Sequence, residues 1–292
     1  MSYERRIIGF IDILGFGQLV FDSECDAEKF NLIDRVISRL QEVDDIYGSP
    51  EAFFAHSNYM SLSEEGKASL NAIYESMKAD ATASRVLITT FSDSIVFSCP
   101  ATSDGLTNFR YFLIKLLVYT SEFSLLLRGG MSCGPLIHSE KKVFGPAMNR
   151  AYLTESKVAK YPRIAVDEYF MSFINDVTED SIGNLVRSEI ITDPSDGVTF
   201  FDVLSLSTNK VAQNMCGSNP LDILTNEKRT IENLMASSSG APEIVQKINW
   251  YATYFNHHLD RCPEIELVTS TFNGLPFESI MVPVANLKVQ NA

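Results

Sequence analysis

The stretch Arg6-Ile7-Ile8-Gly9-Phe10-Ile11-Asp12-Ile13-Leu14-Gly15-Phe16-Gly17 constrains this chain more than any other. A run of branched apolar residues closed by a glycine turn predicts a buried strand. A carboxylate at the end of such a run is costly to bury alone, so Asp12 calls for a cation, a hydrogen-bond donor or solvent. Gly15 and Gly17 let the backbone approach a ligand, and a helix starting near Phe16 would aim its first N–H groups at an anion. A metal and a phosphate can share such a corner. The alternative is that Asp12 caps the helix that follows.

A second acid stands in the same local setting. Residues 84–98, Ser84-Arg85-Val86-Leu87-Ile88-Thr89-Thr90-Phe91-Ser92-Asp93-Ser94-Ile95-Val96-Phe97-Ser98, predict a β-hairpin whose two branched-residue strands close on Ser92-Asp93. An aspartate is ordinary in a turn. Two strand-end aspartates separated by a helix can nevertheless meet on neighbouring strands, and a pair of hard oxygen ligands with a triphosphate is a usual way to hold Mg²⁺ or Mn²⁺.

Phe10-Ile11-Asp12-Ile13-Leu14-Gly15-Phe16 resembles the first metal motif of the class III nucleotide cyclases, and Phe91-Ser92-Asp93-Ser94 the second. Arg128-Gly129-Gly130-Met131-Ser132-Cys133-Gly134-Pro135 is similar to the following strand, and Val143-Phe144-Gly145-Pro146-Ala147-Met148-Asn149 to the segment that ends in the family's active-site asparagine. The four blocks stand in the family's order and cover roughly residues 5 to 170. Their wording and the standalone build are closest to the Pycsar antiphage pyrimidine cyclases. The resemblance implies an α+β fold with a ferredoxin-like core. It implies two Mn²⁺ or Mg²⁺ ions per site bridged by Asp12 and Asp93, with the Ile13 carbonyl in one metal shell and the amides of Leu14, Gly15, Phe16 and Gly17 on the β- and γ-phosphates. It further implies a homodimer with shared sites, in which Asn149 orients the ribose from across the interface, and a cyclic mononucleotide product that activates a separate effector during phage infection. Asn149 as a helix cap or helix-face residue is the alternative.

Three departures from the purine cyclases bear on substrate. Thr89 stands four residues before the second aspartate, where adenylate cyclases carry a base-reading lysine. Lys142 stands seven residues before Asn149, in place of an aspartate that accepts from the adenine amino group. A lysine only donates, which disfavours adenine and suits a carbonyl; facing the 4-position it would pair with uracil and repel cytosine. UTP is therefore the expected substrate, with CTP, a purine triphosphate, or nucleotide sensing without turnover as alternatives. Lys142 as a solvated surface charge also stays open. Leu153 stands where the family's transition-state arginine follows the asparagine by four residues. Without it a cyclase could be slow, inactive, or recruit Arg128 or Arg85, Arg128 having an equal reading as a core-edge ion pair; Arg150, a substrate-binding candidate beside Asn149, points elsewhere on an ideal helix.

The chain has 292 residues, is 45% hydrophobic and carries a formal charge of −13, enough for a large core and unsuited to nucleic acid or an anionic membrane surface. Five scattered cysteines fit reduced thiols. With no membrane-length apolar run and a direct start into the first strand, the expected location is the cytoplasm. Residues 1–175 are expected to form the catalytic core, with an insertion over 46–83 containing a helix from Ser63 to Lys78, and 176–292 an α/β extension packed on it. A core-facing helix is expected from Asp26 to Asp45, and another over 106–123 buried on most of its surface, with another subunit as one candidate cover. Strands are expected at 124–132, 163–166, 190–191 and 198–201. Helices are expected at 148–160, 167–173, 223–235 and 244–259. His257 and His258 are adjacent on the last of these and read as surface or helix-end residues.

Overall fold

The computed structural model describes residues 2–42, 60, 62–72, 84–91, 93–139, 141–177, 181–238, 241–272 and 275–290. Strand β1 (Glu4–Ile13) is the centre of the fold. It pairs antiparallel on one side with β3 (Ser94–Pro100), itself in a hairpin with β2 (Leu87–Phe91), and on the other with β4 (Leu127–Ser139). Read across the sheet the order is β2-β3-β1-β4, the antiparallel ferredoxin-like arrangement. From the far side of β4 the sheet continues through β6 (Ile164–Val166), which is parallel to β4, then β8 (Thr199–Phe201) and β7 (Ile190–Thr192). The fold is mixed α/β, and its sheet runs on past residue 175.

Alternation along β1 sends Ile7, Ile11 and Ile13 to one face and Ile8, Phe10 and Asp12 to the other. The first face carries the main core. There α3 (Ser103–Glu122), capped by the Thr102 hydroxyl accepting from Gly105 N at 3.1 Å, lays Phe109 and Phe112 against Phe97 of β3. Fifteen of its twenty residues are buried, and the cover comes from this chain itself: α6 (Ser181–Ser188), α7 (Val203–Thr208), α8 (Lys210–Cys216) and α9 (Pro220–Ser237) pack on it. Arg110 of α3 is buried because Glu189 takes its guanidinium at 2.8 and 2.9 Å.

The second face carries a smaller cluster, Ile8, Val96, Leu136, Ala147 and Ala151, formed where α4 (Pro146–Leu153) lies across β4. The helix continues as a π-helical turn over Thr154–Ala159. Gly130 is required under it, since a Cβ there would meet the Ala151 carbonyl oxygen and the Glu155 nitrogen. A short strand, β5 (Lys142–Phe144), folds back on β4 just before this helix.

The expected elements fall largely where their periodicity placed them, with differences that have local causes. Asp26 caps α2 (Ala27–Glu42), accepting from Glu28 N and Lys29 N at 3.0 and 3.2 Å; Val36 is buried, but Phe30 is exposed, because the short helix α1 (Phe16–Asp22) is its main neighbour. β4 starts at Leu127, not Ser124, because Ser124 takes a left-handed φ of 58° in the turn after α3. The helix expected from Ser63 is helical over 64–72, with the Ser63 hydroxyl accepting from Gly66 N; its continuation, like most of the 46–83 insertion, lies outside the described residues. After α5 (Glu168–Asp176), the long helices at 223–235 and 244–259 are α9 and α10 (Pro242–Arg261). The expectation for His258 is corrected: it is buried at the α10 end, 3.8 Å from Asp202, and burial pushes its pKa down to about 4, while His257 is exposed. A final hairpin, β9 (Glu264–Phe272) with β10 (Leu275–Pro283), was not anticipated. Among the described residues no helix is long and apolar enough to cross a membrane.

Candidate active site

The two aspartates converge. Asp12 pairs in register with Ser94, and Asp93 stands in the connection between β2 and β3, tied to the end of β1 by Ile13 N donating to its carbonyl at 2.9 Å. β1 then gives way to Leu14 and Gly15, whose φ of 79° turns the chain into α1, and Phe16 anchors that turn in the core. A Cβ at Gly17 would come within 4.0 Å of Asp93 Oδ2. The first turn of α1 and both carboxylates therefore share one corner.

Asp12 is not alone there. Its cross-strand neighbour on β4 is Arg128, whose Nη2 donates to Asp12 Oδ2 at 3.0 Å and lies 2.5 Å from Glu155 Oε1. Burial raises the pKa of Asp12 above the ordinary carboxylate value against the pull of Arg128, and the charge of Asp93 adds to the rise. Glu155 is raised for the same first reason, burial, with Asp12 and Asp93 contributing. Three acids and one arginine thus form a single electrostatic unit. A carboxylate pair set this close fits a divalent cation, and Arg128 supplies part of that neutralisation to Asp12. Among the described residues no group of three or more His, Cys, Asp or Glu side chains forms a metal-holding cluster.

Asn149 lies on the exposed side of α4. Arg150 turns the opposite way, donating to Ser132 Oγ at 3.1 Å and to the Cys133 carbonyl at 2.9 Å and stacking 3.9 Å above the Tyr169 ring. It ties α4 to β4 and does not join the aspartates. Leu153 is exposed, one residue beyond Tyr152, whose ring packs edge-on against Phe10 at 5.4 Å. Thr89 shares the sheet face of Asp12, through the register Thr89–Val96–Phe10. Lys142 does not meet it. In the β4–β5 ribbon Val143 pairs with His138, so Lys142, opposite Ser139, alternates to the other ribbon face and is exposed.

Two participants were missed. Glu155 extends the buried stripe Ala147, Ala151, Glu155 at four-residue spacing, so an acid on an apolar stripe was the available signal. His138 is buried on β4, with Nε2 3.0 Å from Thr89 Oγ1 and Nδ1 2.8 Å from Ser98 Oγ.

No protein-family model matches the sequence, and no curated protein matches it. Among solved structures the chain is similar to a bacterial light-regulated adenylyl cyclase, at 16% identity and a TM-score of 0.35 over 59% of this chain and 45% of that one. It is also similar to a class III adenylyl cyclase-like ATP-binding protein from Pseudomonas aeruginosa, at 9% identity and a TM-score of 0.37 over 81% and 45%. The chain spans under half the length of each. Likeness at this level assigns neither substrate nor activity.

Proposed function

We propose that this chain is a metal-dependent nucleotide cyclase that converts UTP to 3′,5′-cyclic UMP and pyrophosphate. The observation that carries the reading is the convergence of Asp12 and Asp93 beside the first turn of α1. Asp12 and Asp93 would hold two divalent ions, which when bound lower the pKa of the ribose 3′ hydroxyl and neutralise charge on the transferring and leaving oxygens. The residues of this chain do the rest. The backbone from Gly15 to Gly17 would offer N–H groups to the β- and γ-phosphates, while the expectation for Leu14 is corrected, because its N–H donates to the Leu126 carbonyl at 2.9 Å. Arg128, held between Asp12 and Glu155, fixes the Asp12 carboxylate and limits repulsion within the acid group.

The site is open on one side, and Phe91, Tyr152, Leu153 and Val158 are large, apolar and exposed. That supports a homodimer in which Asn149 of one subunit serves the aspartates of the other. A groove of about 610 Å³ between residues 191–195 and α10 is lined by Trp250, Tyr254 and Phe200 and holds neither aspartate; a site completed by a second subunit is not expected to form a closed cavity in one chain. From the resemblance to the Pycsar cyclases, the product would signal to a separate effector in antiphage defence. Purified protein with each of the four ribonucleoside triphosphates and Mn²⁺ tests the reading: UTP should give cyclic UMP and pyrophosphate, and conversion of ATP alone would refute it.

One observation favours a second reading, nucleotide sensing without turnover. Arg128 and Arg150 are both engaged within the chain while Leu153 occupies the helix position of the family's arginine. Tight triphosphate binding with no pyrophosphate release at high protein concentration would decide for it.

A further inference from the structure

The sheet ends at β7, and α10 lies over its last two strands, with Trp250 and Tyr254 meeting the Phe200 ring of β8 edge-on at 5.6 and 5.7 Å. Ile191 of β7 pairs with Phe200 and shares its face of the sheet. Between Ile191 and α10 the chain leaves the groove of about 610 Å³ already described, within the roughly 300 to 1,000 Å³ usual for small-molecule sites. Its aromatic wall is held in place. The Trp250 ring lies parallel to Tyr161 at 5.1 Å and nearly parallel to Tyr254 at 5.7 Å, and its Nε1–H donates to Asp193 Oδ2 at 2.6 Å. Behind it the buried Arg163 guanidinium stands 5.2 Å from both the Tyr161 and Trp250 rings and donates to the same Asp193 oxygen at 3.0 Å. A wall fixed in this way does not fold inward to fill the space.

The polar groups of the lining divide into those already satisfied and those with capacity to spare. Asp193 accepts from Ser195 N and Oγ at Oδ1, at 2.8 and 2.6 Å, and from Arg163 and Trp250 at Oδ2, so all its acceptor positions are taken. The Tyr254 hydroxyl donates to Asp202 at 2.6 Å and accepts from Leu204 N at 3.1 Å. Arg261 differs. Among the described residues its guanidinium uses one nitrogen, Nη2, on Asp202 Oδ2 at 2.9 Å, and the side chain is half exposed at the groove beside the exposed His257. The spare capacity nearest the aromatic wall is therefore a guanidinium fork, the geometry that matches a carboxylate or similar oxyanion. Asp260 shares the lining and is held by Lys288 at 2.5 Å, so it and Asp193 bring negative charge that is balanced once. One anionic group can be met by Arg261, but several on one ligand would face those two acids. A nucleoside triphosphate is thereby disfavoured here.

We propose that this groove is a second ligand site, for a planar aromatic compound carrying a single anionic group. The ring lies against Trp250, Tyr254 and Phe200, and the anion takes the donors of Arg261 that Asp202 leaves unused. The groove holds neither Asp12 nor Asp93, so the site stands whether or not the aspartate corner turns over a nucleotide.

Trp250 is the one tryptophan of the chain and lines the groove, so its fluorescence reports occupancy of this site directly. The full-length protein is titrated with three probes that share one ring system: naphthoate, its neutral amide naphthamide, and the cation naphthylmethylammonium. Naphthoate should quench Trp250 saturably at one per chain, about tenfold or more tighter than the amide, with the cation weakest. Arg261→Gln should remove the preference for naphthoate over the amide, and Arg261→Lys should restore part of it. Because Arg261 also serves the buried Asp202, a second position keeps the test open if Arg261→Gln fails to fold. Thr253 is exposed on the groove side of α10 and bonds only within its helix, to the Asn249 carbonyl at 2.9 Å. Thr253→Glu should weaken naphthoate by about tenfold and Thr253→Lys should hold or strengthen it, with circular dichroism unchanged in both. Absence of saturable Trp250 quenching by naphthoate in wild type overturns the proposal. Equal affinities for the three probes, unaltered in Thr253→Glu, overturn the assignment of an anion to Arg261. An oligomer that dissociates in Thr253→Glu, with no probe bound by wild type, makes the groove an interface between copies of this chain and overturns the ligand site.

Discussion

Glu227 is buried on α9, where Tyr251 of α10 donates its hydroxyl to Oε2 at 2.9 Å. Burial raises its pKa from 4.5 to about 7, the Tyr251 hydrogen bond offsetting only part of the cost. At about 1.4 kcal/mol per tenfold, that rise is worth roughly 3 kcal/mol between the neutral and charged forms. The sign follows from linkage. Below about pH 4.5 the carboxyl is neutral in folded and unfolded chains alike; between about 4.5 and 7 only the unfolded chain ionises, so stability falls as pH rises; above about 7 the deficit is constant. Glu227→Gln removes the titration and keeps an acceptor for Tyr251. Any fixed cost of the amide is the same at every pH, so the informative quantity is the change with pH. Urea unfolding followed through the fluorescence of Trp250, the one tryptophan, should show the mutant gaining about 2 to 3 kcal/mol on wild type between pH 5 and pH 8. A mutant-minus-wild-type difference that stays flat across that range would refute the assignment of a raised, buried carboxyl.

At the site, Asp12→Ala and Asp93→Ala should each abolish pyrophosphate release while size-exclusion chromatography shows an unchanged oligomer; full activity in either would remove that residue from the metal assignment. Glu155→Gln leaves Arg128 to bind Asp12 alone in competition with a cation, and Mn²⁺ titration should show affinity about tenfold weaker. Gly130→Ala forces α4 and Glu155 away from β4 and should cost about 1 to 3 kcal/mol in urea unfolding. Mixing Asp12→Ala with Asn149→Ala subunits should restore activity if the sites are shared; verified exchange without recovery argues for self-contained sites.

What could be read from the sequence was whatever repeats with a short period or sits at a turn. The run of branched residues through Ile7, Ile11 and Ile13, the hairpin around Asp93 and the helix over 244–259 are local signals, and each fell where expected. The dense apolar surface of α3 announced burial but not its partner. Its cover comes from α6 to α9, all of them beyond residue 180; three of them, α6, α7 and α8, span only six to eight residues, too short for periodicity to register. The same limit hid the ion pair between Arg110 and Glu189, partners 79 residues apart with no local signature.

The site divides along the same line. Asp12 and Asp93 were legible because an acid interrupting a buried strand, or closing a tight turn, is conspicuous against its own neighbours. Arg128 could be placed on its strand but not aimed, since only the register Asp12–Arg128 brings its guanidinium between two carboxylates. Lys142 could be placed by its distance from Asn149, but the ribbon face it takes is decided by the pairing of Val143 with His138. Pairing by register also joins Thr89, Ser98 and His138, which lie on three different strands and share nothing in sequence spacing. No spacing in sequence announces a chain of hydrogen bonds assembled in that way.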